Sequence, residues 1–236
     1  MKNLIGFCAL LLALPAAAAD PEPPKPTSHT ERDIQGWTVH LDDRLLKGPD
    51  AELGTLAIGL LEGQLRVIAL TLPEDKVQRL RKVPIWLDRM HGKLVPAQYH
   101  PSPEWLAGNG YSRELAKCVH VPDAKYFAAP RHQREQPSAM LHELAHAYHD
   151  QVLDFNNAEI KAAWDGFVKS GKYKKTLHIN GSETKHYALT NEKEFFAEMT
   201  ESYFGRNDFY PFNSGELKRE EPEIFKLLEK VWGKLP

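Results

Sequence analysis

The sequence reads His142-Glu143-Leu144-Ala145-His146 near the start of a segment with helical periodicity. Residues four apart on an α-helix lie on one face, one turn above the other, so His142 and His146 can both reach one metal ion. Glu143 is placed beside them to act as a general base on a reacting water molecule. The pentapeptide therefore predicts a metal-dependent hydrolytic site.

The residues around the pentapeptide predict a helix with a separate apolar face. Pro137 suits the first turn of such a helix. Apolar side chains then recur at helical spacing, at Leu141, Leu144, Ala145, Tyr148 and Val152. This stripe lies beside the face of His142 and His146, so the helix can pack in a core and still present both imidazoles. His149 is predicted to be a partly buried residue that packs in the core or contacts a metal ligand from outside, because about 10 Å along the helix axis separate it from His142.

A third ligand is expected, because a catalytic zinc ion takes three protein ligands and keeps one open position. Glu194 and Glu198 lie four residues apart on a predicted helix, beside two phenylalanines that should be buried. A buried carboxylate needs a partner, and a metal ion or a metal-bound imidazole would provide one. The spacing leaves two roles open for Glu194. It could bind metal, or it could close a capping box with Asn191, unless Thr190 is the N-cap.

Other polar residues of this region receive less specific predictions. Glu201, one turn after Glu198, is predicted to be solvated. His178 and His186 are predicted to lie in a loop or at the rim of the site.

Together the two blocks resemble a known family. The resemblance rests on His142-Glu143-x-x-His146 and on Tyr187-x-x-Thr190-Asn191-Glu192-x-Glu194-Phe195-Phe196-Ala197-Glu198. Both are similar to the catalytic domain of anthrax lethal factor and its relatives, the gluzincin-type metallopeptidases, which include secreted proline-specific endopeptidases. The likeness covers roughly residues 137–205. The second block is much more specific than the pentapeptide.

The resemblance implies one catalytic Zn²⁺ ion. Its ligands would be His142, His146 and Glu194, and Glu143 would be the general base. Tyr187 would assist catalysis near the metal.

The same resemblance implies an outer shell and a fold. Glu198 would orient a ligand imidazole from behind. The fold would be α+β, a zincin-like metallopeptidase domain. A small mixed or antiparallel sheet would precede a mostly helical second half, which would carry the histidine helix and the glutamate-ligand helix.

The first residues of the chain are typical of an export signal. Lys2 precedes the apolar run Leu4–Leu14, and small residues follow as far as Ala19. The run is shorter than the about 20 residues that cross a membrane. We predict a signal peptide over residues 1–19, a periplasmic or extracellular location, and no membrane span after removal of the signal.

Charge and cysteine content limit the partners. Without residues 1–19 the chain has 29 basic and 32 acidic side chains, a net charge of −3. No basic face carries interleaved aromatic residues, so nucleic acid is not predicted as a partner. Cys118 is then the remaining cysteine, which leaves no intramolecular disulfide to stabilise the fold. The oligomeric state does not follow from these features.

The rest of the chain predicts one domain after a short leader. Residues 20–35 contain four prolines and predict a flexible leader, with residues 36–236 forming a single domain. Further helices are predicted at Ala158–Val168, at Glu192–Tyr203 and at Pro222–Trp232.

The first part of this domain predicts a sheet and one long helix. Residues 37–41 and 83–87 are predicted strands, and residues 51–71 are a predicted helix. Ala116–Val121 is a third predicted strand. It could be the edge strand along which an extended peptide substrate pairs, although a plain sheet strand is the simpler interpretation.

These features predict an exported zinc-dependent endopeptidase that acts through Glu143. Two alternatives stay open. The chain could be an inactive zinc- or peptide-binding module of the same fold, or a zinc amidase that acts on cell-wall material. The presence of both Glu143 and Tyr187 argues against the inactive module.

Overall fold

The computed structural model describes residues 24–235; the predicted signal peptide lies outside them. The strands are β1 (His29–Ile34), β2 (Trp37–Asp42), β3 (Ile85–Leu87), β4 (Gln98–Tyr99), β5 (Val119–Val121), β6 (Thr176–Leu177) and β7 (Glu183–Thr184). The helices are α1 (Ala51–Thr71), α2 (Glu74–Leu80), α3 (Pro103–Gly108), α4 (Ala124–Phe127), α5 (Pro130–Glu135), α6 (Ala139–Tyr148), α7 (Ala158–Ser170), α8 (Glu192–Phe204), α9 (Ser214–Glu220) and α10 (Pro222–Trp232). The fold is mixed α+β, as predicted.

The first five strands form one mixed sheet in the order β1-β2-β3-β5-β4. β2, β3 and β5 run parallel, and the strands at both edges pair antiparallel with their neighbours. α1 and α2 form the crossover between β2 and β3. A separate two-stranded sheet pairs β6 with β7.

The structure corrects the predicted start of the domain. β1 lies inside residues 20–35, which were predicted to be a flexible leader. It pairs with β2 through a two-residue turn at Gln35 and Gly36, both with positive φ, at 56° and 88°. Such turns match the twist of paired strands. The sequence does not predict this strand because its residues are mostly polar and exposed and show no apolar alternation. Backbone pairing with β2 holds it in place.

The structure also corrects the predicted edge strand. Residues 116–121 contain β5, which lies between β3 and β4 inside the sheet. Its backbone groups are therefore already paired on both sides. The edges are β1 and β4, and neither was predicted as a strand.

The long helix α1 has one face in the core and another in solvent. Ala57, Leu61, Leu65 and Ile68 are buried, whereas leucines and valines on the opposite side are exposed. Among the described residues, the stretch Gly48–Thr71 is long and apolar enough to cross a membrane by length and composition alone, with 28% of the tested window buried. The buried face of α1 belongs to the core of the domain. The absence of a membrane span stays a prediction.

The second half packs helices around α6 and α8, as predicted. α6 buries Leu144, Ala145 and Tyr148, and the Tyr148 ring lies 4.3 Å from that of Trp232 in α10. α8 buries Phe195 and Phe196, which anchor it beside α6. Core packing of the apolar faces fixes the rotation of α6 and α8 against each other. The polar side chains of the two helices therefore meet in a defined position.

Candidate metal centre

The site begins with two imidazoles on one face of α6. His142 and His146 are one helical turn apart, and their Nε2 atoms lie 3.1 Å from each other. Both side chains line a cavity of about 300 Å³. The core packing of the neighbouring apolar stripe sets the direction in which the two rings point.

α8 supplies the third group. The side chain of Asn191 accepts hydrogen bonds from the backbone N–H groups of Lys193 and Glu194, both at 2.9 Å, so Asn191 is the N-cap. The carboxylate of Glu194 faces the histidines instead of closing the helix start. Its Oε2 atom lies 3.1 Å from Nε2 of His142 and 3.2 Å from Nε2 of His146.

These three atoms form an almost equilateral triangle with sides of 3.1–3.2 Å. Tetrahedral zinc with bonds of 2.0–2.1 Å holds its ligand atoms roughly 3.3 Å apart. The residues His142, His146 and Glu194 could therefore hold a metal ion with little rearrangement.

The charges of the cavity favour a cation at this triangle. Five acidic side chains line it, and none of its lining residues is lysine or arginine. The acids are Glu143, Glu194, Glu198, Glu201 and Asp208. Burial works to raise the pKa of Glu194, but hydrogen bonds with the two histidines hold it well below its ordinary value. Burial would lower the pKa of His142, yet its bonds with two carboxylates raise it well above the ordinary value. These groups therefore favour a positive charge between the carboxylates, either a proton on His142 or a metal ion.

The group behind His142 is Glu201. Its Oε1 atom lies 2.7 Å from Nδ1 of His142, whereas the nearest oxygen of Glu198 is 3.8 Å from the same atom. Nδ1–H therefore donates to Glu201, which fixes the tautomer and directs the Nε2 lone pair at the triangle. The prediction that Glu201 is solvated is wrong, since it is 4% exposed. Residues 194, 198 and 201 share one helix face, so all three carboxylates turn towards α6.

Glu198 occupies a different position from the one predicted for an orienting residue. It is buried, and its Oε2 atom has no hydrogen-bond partner within the part of the chain that the structure describes. Burial raises its pKa well above the ordinary value, and the negative Asp208 and Glu201 add to this. Glu198 is therefore a buried member of the five acidic side chains that line the cavity.

We expect substitution of Glu201 to weaken metal binding more than substitution of Glu198. Loss of an outer-shell partner of a ligand histidine costs about 10–100-fold in metal affinity. Glu201→Gln should show such a loss, since the amide is a poorer acceptor for Nδ1–H of His142. Glu198→Gln is the matched control and should remain within a few-fold of the wild type. Competition titration with a chromophoric chelator measures both, and the opposite order would return the orienting role to Glu198.

Glu143 lies beside the triangle and contacts the edge strand. It is buried, and its Oε2 atom accepts a hydrogen bond of 2.7 Å from the backbone N–H of Tyr99 in β4. Burial raises the pKa of Glu143, while the nearby His142 and His146 oppose this effect. The carboxyl group is thus oriented, desolvated and next to the candidate ligands.

Tyr187 stands at the mouth of the cavity. It is 46% exposed, and its ring lies 6.4 Å from that of His142. Its short helical turn is held by Ala188, whose N–H donates to Nδ1 of His186 and whose carbonyl accepts from Nε1 of Trp164. The turn is anchored by buried contacts, so the phenol projects from a fixed base.

His149, His178 and His186 lie outside the triangle, and their neighbours are aromatic rings or the carboxylate of Asp208. His149 is completely buried against Phe155 and Phe196, more deeply than predicted. His186 lies in the loop before the turn of Tyr187, as predicted, but it is completely buried and not at the rim. His178 lies near Asp208, with Nε2 3.6 Å from a carboxylate oxygen.

A second cluster escaped the sequence interpretation. Ring nitrogens of His29, His91 and His120 lie 2.6–2.8 Å from the carboxylate oxygens of Asp88. Nε2 of His100 lies 3.2 Å from Nδ1 of His120. We call these five residues the Asp88 cluster. Only the spacing of Asp88 and His91 hinted at it, since the remaining members are far apart in sequence.

Comparison of the chain with protein-family models gives no match, and comparisons with curated proteins and with solved structures give none either. The assignment of a function therefore depends on the geometry and chemistry of the site. The resemblance to the lethal factor family stays a prediction based on the two motifs.

Proposed function

We propose that this chain is an exported zinc-dependent endopeptidase with a zincin-like domain. The observation that carries the proposal is the triangle of His142, His146 and Glu194, with Glu143 beside it and Glu201 behind it. Two imidazoles and one carboxylate with an adjacent glutamate are the ligand set and base of many zinc hydrolases. Zinc, when bound, would supply Lewis-acid polarisation of a peptide carbonyl and activation of water.

The protein's own groups would then move the proton. Glu143 accepts a proton from the attacking water and later delivers it to the leaving amine. The N–H of Tyr99 holds the carboxylate of Glu143 in one orientation. The phenol of Tyr187 can donate a hydrogen bond to the developing oxyanion.

The edge strand supports a peptide as the substrate. Pro96, Ala97, Gln98 and Tyr99 line the cavity, and β4 pairs with β5 on one side only. The N–H of Tyr99 points away from β5, and the alternation of a strand places the backbone groups of Ala97 on the same side. The N–H of Tyr99 already donates to Glu143, so an extended peptide could pair with the backbone groups of Ala97 and bring its carbonyl to the triangle.

We expect Tyr187→Phe to slow hydrolysis while leaving metal binding intact. Loss of one oxyanion donor typically costs about 10²–10³-fold in kcat. Tyr187 is 46% exposed and lies outside the core, so the melting temperature should match that of the wild type. Steady-state kinetics and zinc content measure the two effects. Undiminished kcat would remove Tyr187 from the mechanism.

The proposed function is tested by elemental analysis followed by cleavage of a mixed peptide library. The expected result is zinc in the isolated protein, and internal peptide cleavage that stops with a chelator and returns with zinc. A fully loaded protein that cleaves no peptide would contradict the proposal. Parallel assay of cell-wall fragments distinguishes an amidase from an inactive binding module.

A further inference from the structure

The Asp88 cluster brings five ionisable side chains from separate parts of the chain to one buried point. Asp88 follows β3, His91 lies in the next loop, and His120 is in β5. All three are buried, at 0%, 7% and 0% exposure. Such a concentration of imidazole around one carboxylate is costly in a core unless each group is satisfied.

One oxygen of Asp88 is the point of convergence. Oδ2 lies 2.6 Å from Nδ1 of His91 and 2.8 Å from Nε2 of His120. In a zinc site these atoms would be roughly 3.3 Å apart, so the two distances would lengthen by about 0.7 Å for His91 and about 0.5 Å for His120. His91 lies outside the named helices and strands, so the larger adjustment falls in a loop.

The remaining two histidines complete an outer shell. Nε2 of His29 lies 2.7 Å from the other oxygen of Asp88, Oδ1. Nε2 of His100 lies 3.2 Å from Nδ1 of His120. Ligand carboxylates and ligand imidazoles usually have such partners on their non-coordinating atoms.

We propose that Asp88, His91 and His120 form a second metal site, specific for an ion of the zinc class. Two imidazoles and one carboxylate make up the same donor set as the triangle of His142, His146 and Glu194, and zinc favours such N and O ligands. This site shares no residue with that triangle, so the ion expected in His146→Ala does not depend on the proposed function; only the second ion of the wild type does.

The position of the site indicates a structural role. The loop that begins at Asp88 ends at β4, where the N–H of Tyr99 holds Glu143. An ion at Asp88 would join this loop to β5 at its base. The wall of the main cavity and the orientation of Glu143 would then depend on it.

Metal binding requires a defined change of tautomer. Without metal, Nε2–H of His120 donates to Asp88, and Nε2–H of His100 donates to Nδ1 of His120. With metal, Nε2 of His120 would be a ligand and its proton would lie on Nδ1, which would donate to Nε2 of His100. The proton of His100 would then lie on its Nδ1 atom, so both imidazoles would stay neutral. Imidazole ¹⁵N chemical shifts distinguish these two arrangements.

The test removes the first site and then asks whether metal still binds. We expect wild type to hold about two zinc ions per chain, and His146→Ala about one. Combining His146→Ala with His91→Ala should leave none. His146→Ala with His132→Ala is the matched control, because His132 is a buried histidine outside both sites, and about one ion should remain.

Two further measurements need only His146→Ala, so they stand even if the double variant fails to fold. Co²⁺ added to this variant should give the intense visible bands of a four-coordinate ion. Zn²⁺ should shift the ¹⁵N resonances of His100 and His120 as described. If His146→Ala binds neither ion and Nε2 of His100 keeps its proton, the Asp88 cluster is a hydrogen-bonded hub and the proposal is overturned.

Discussion

Glu143→Gln should lose almost all hydrolytic activity and still bind zinc. Glu143 is the acceptor for the proton of the attacking water, and general acid–base catalysis typically contributes about 10²–10⁴-fold. We expect kcat/KM to fall by about 10³-fold or more. The amide keeps the size of the side chain, and its oxygen can still accept the N–H of Tyr99.

Folding and metal content separate this effect from damage to the site. Burial raises the pKa of Glu143, so replacing it by a neutral amide should not lower the free energy of unfolding. Zinc content and the denaturation midpoint are the two measurements. Glu192→Gln, in the first turn of α8, is the control and should keep full activity. A zinc-loaded Glu143→Gln with normal kcat/KM would exclude Glu143 as the base.

Glu194→Gln should lose most of the affinity for zinc. Glu194 contributes the one carboxylate of the triangle, at 3.1–3.2 Å from the two imidazole nitrogens. Loss of an outer-shell partner costs about 10–100-fold in metal affinity, so loss of a ligand should cost more than about 100-fold. Kd from chelator competition measures this, and Glu192→Gln again serves as the control. Unchanged metal content would remove Glu194 from the ligand set.

The pH dependence of metal binding provides a second check on the same site. Zinc competes with protons for the ligand imidazoles, so its affinity should fall as the pH is lowered. Hydrogen bonds with Glu194 and Glu201 oppose the effect of burial and raise the pKa of His142 above its ordinary value. In Glu194→Gln one of these bonds is weakened. The pH at which affinity begins to fall should therefore move down.

Elements with a strong local pattern were predicted correctly. The apolar periodicity of α1 and of α6 is a property of neighbouring residues, and it placed both helices. The end of α6 differs from the prediction, since Val152 lies beyond it in a π-helical turn and is exposed. β1 and β4 were not identified. β1 pairs with β2 across a short turn, and β4 pairs with β5 from later in the chain. Backbone hydrogen bonds hold both pairs, and the side chains carry no alternation that would mark them.

The sequence by itself determined the parts of the site that follow from helical spacing. His142, Glu143 and His146 share one turn of α6, and Glu194 comes from a second block whose glutamates repeat at helical intervals. Which carboxylate would meet Nδ1 of His142 was decided by the rotation of α8 against α6, and that is set by packing of the core. Tertiary structure alone also assembled the Asp88 cluster, because its residues lie far apart in sequence and meet only when the sheet forms.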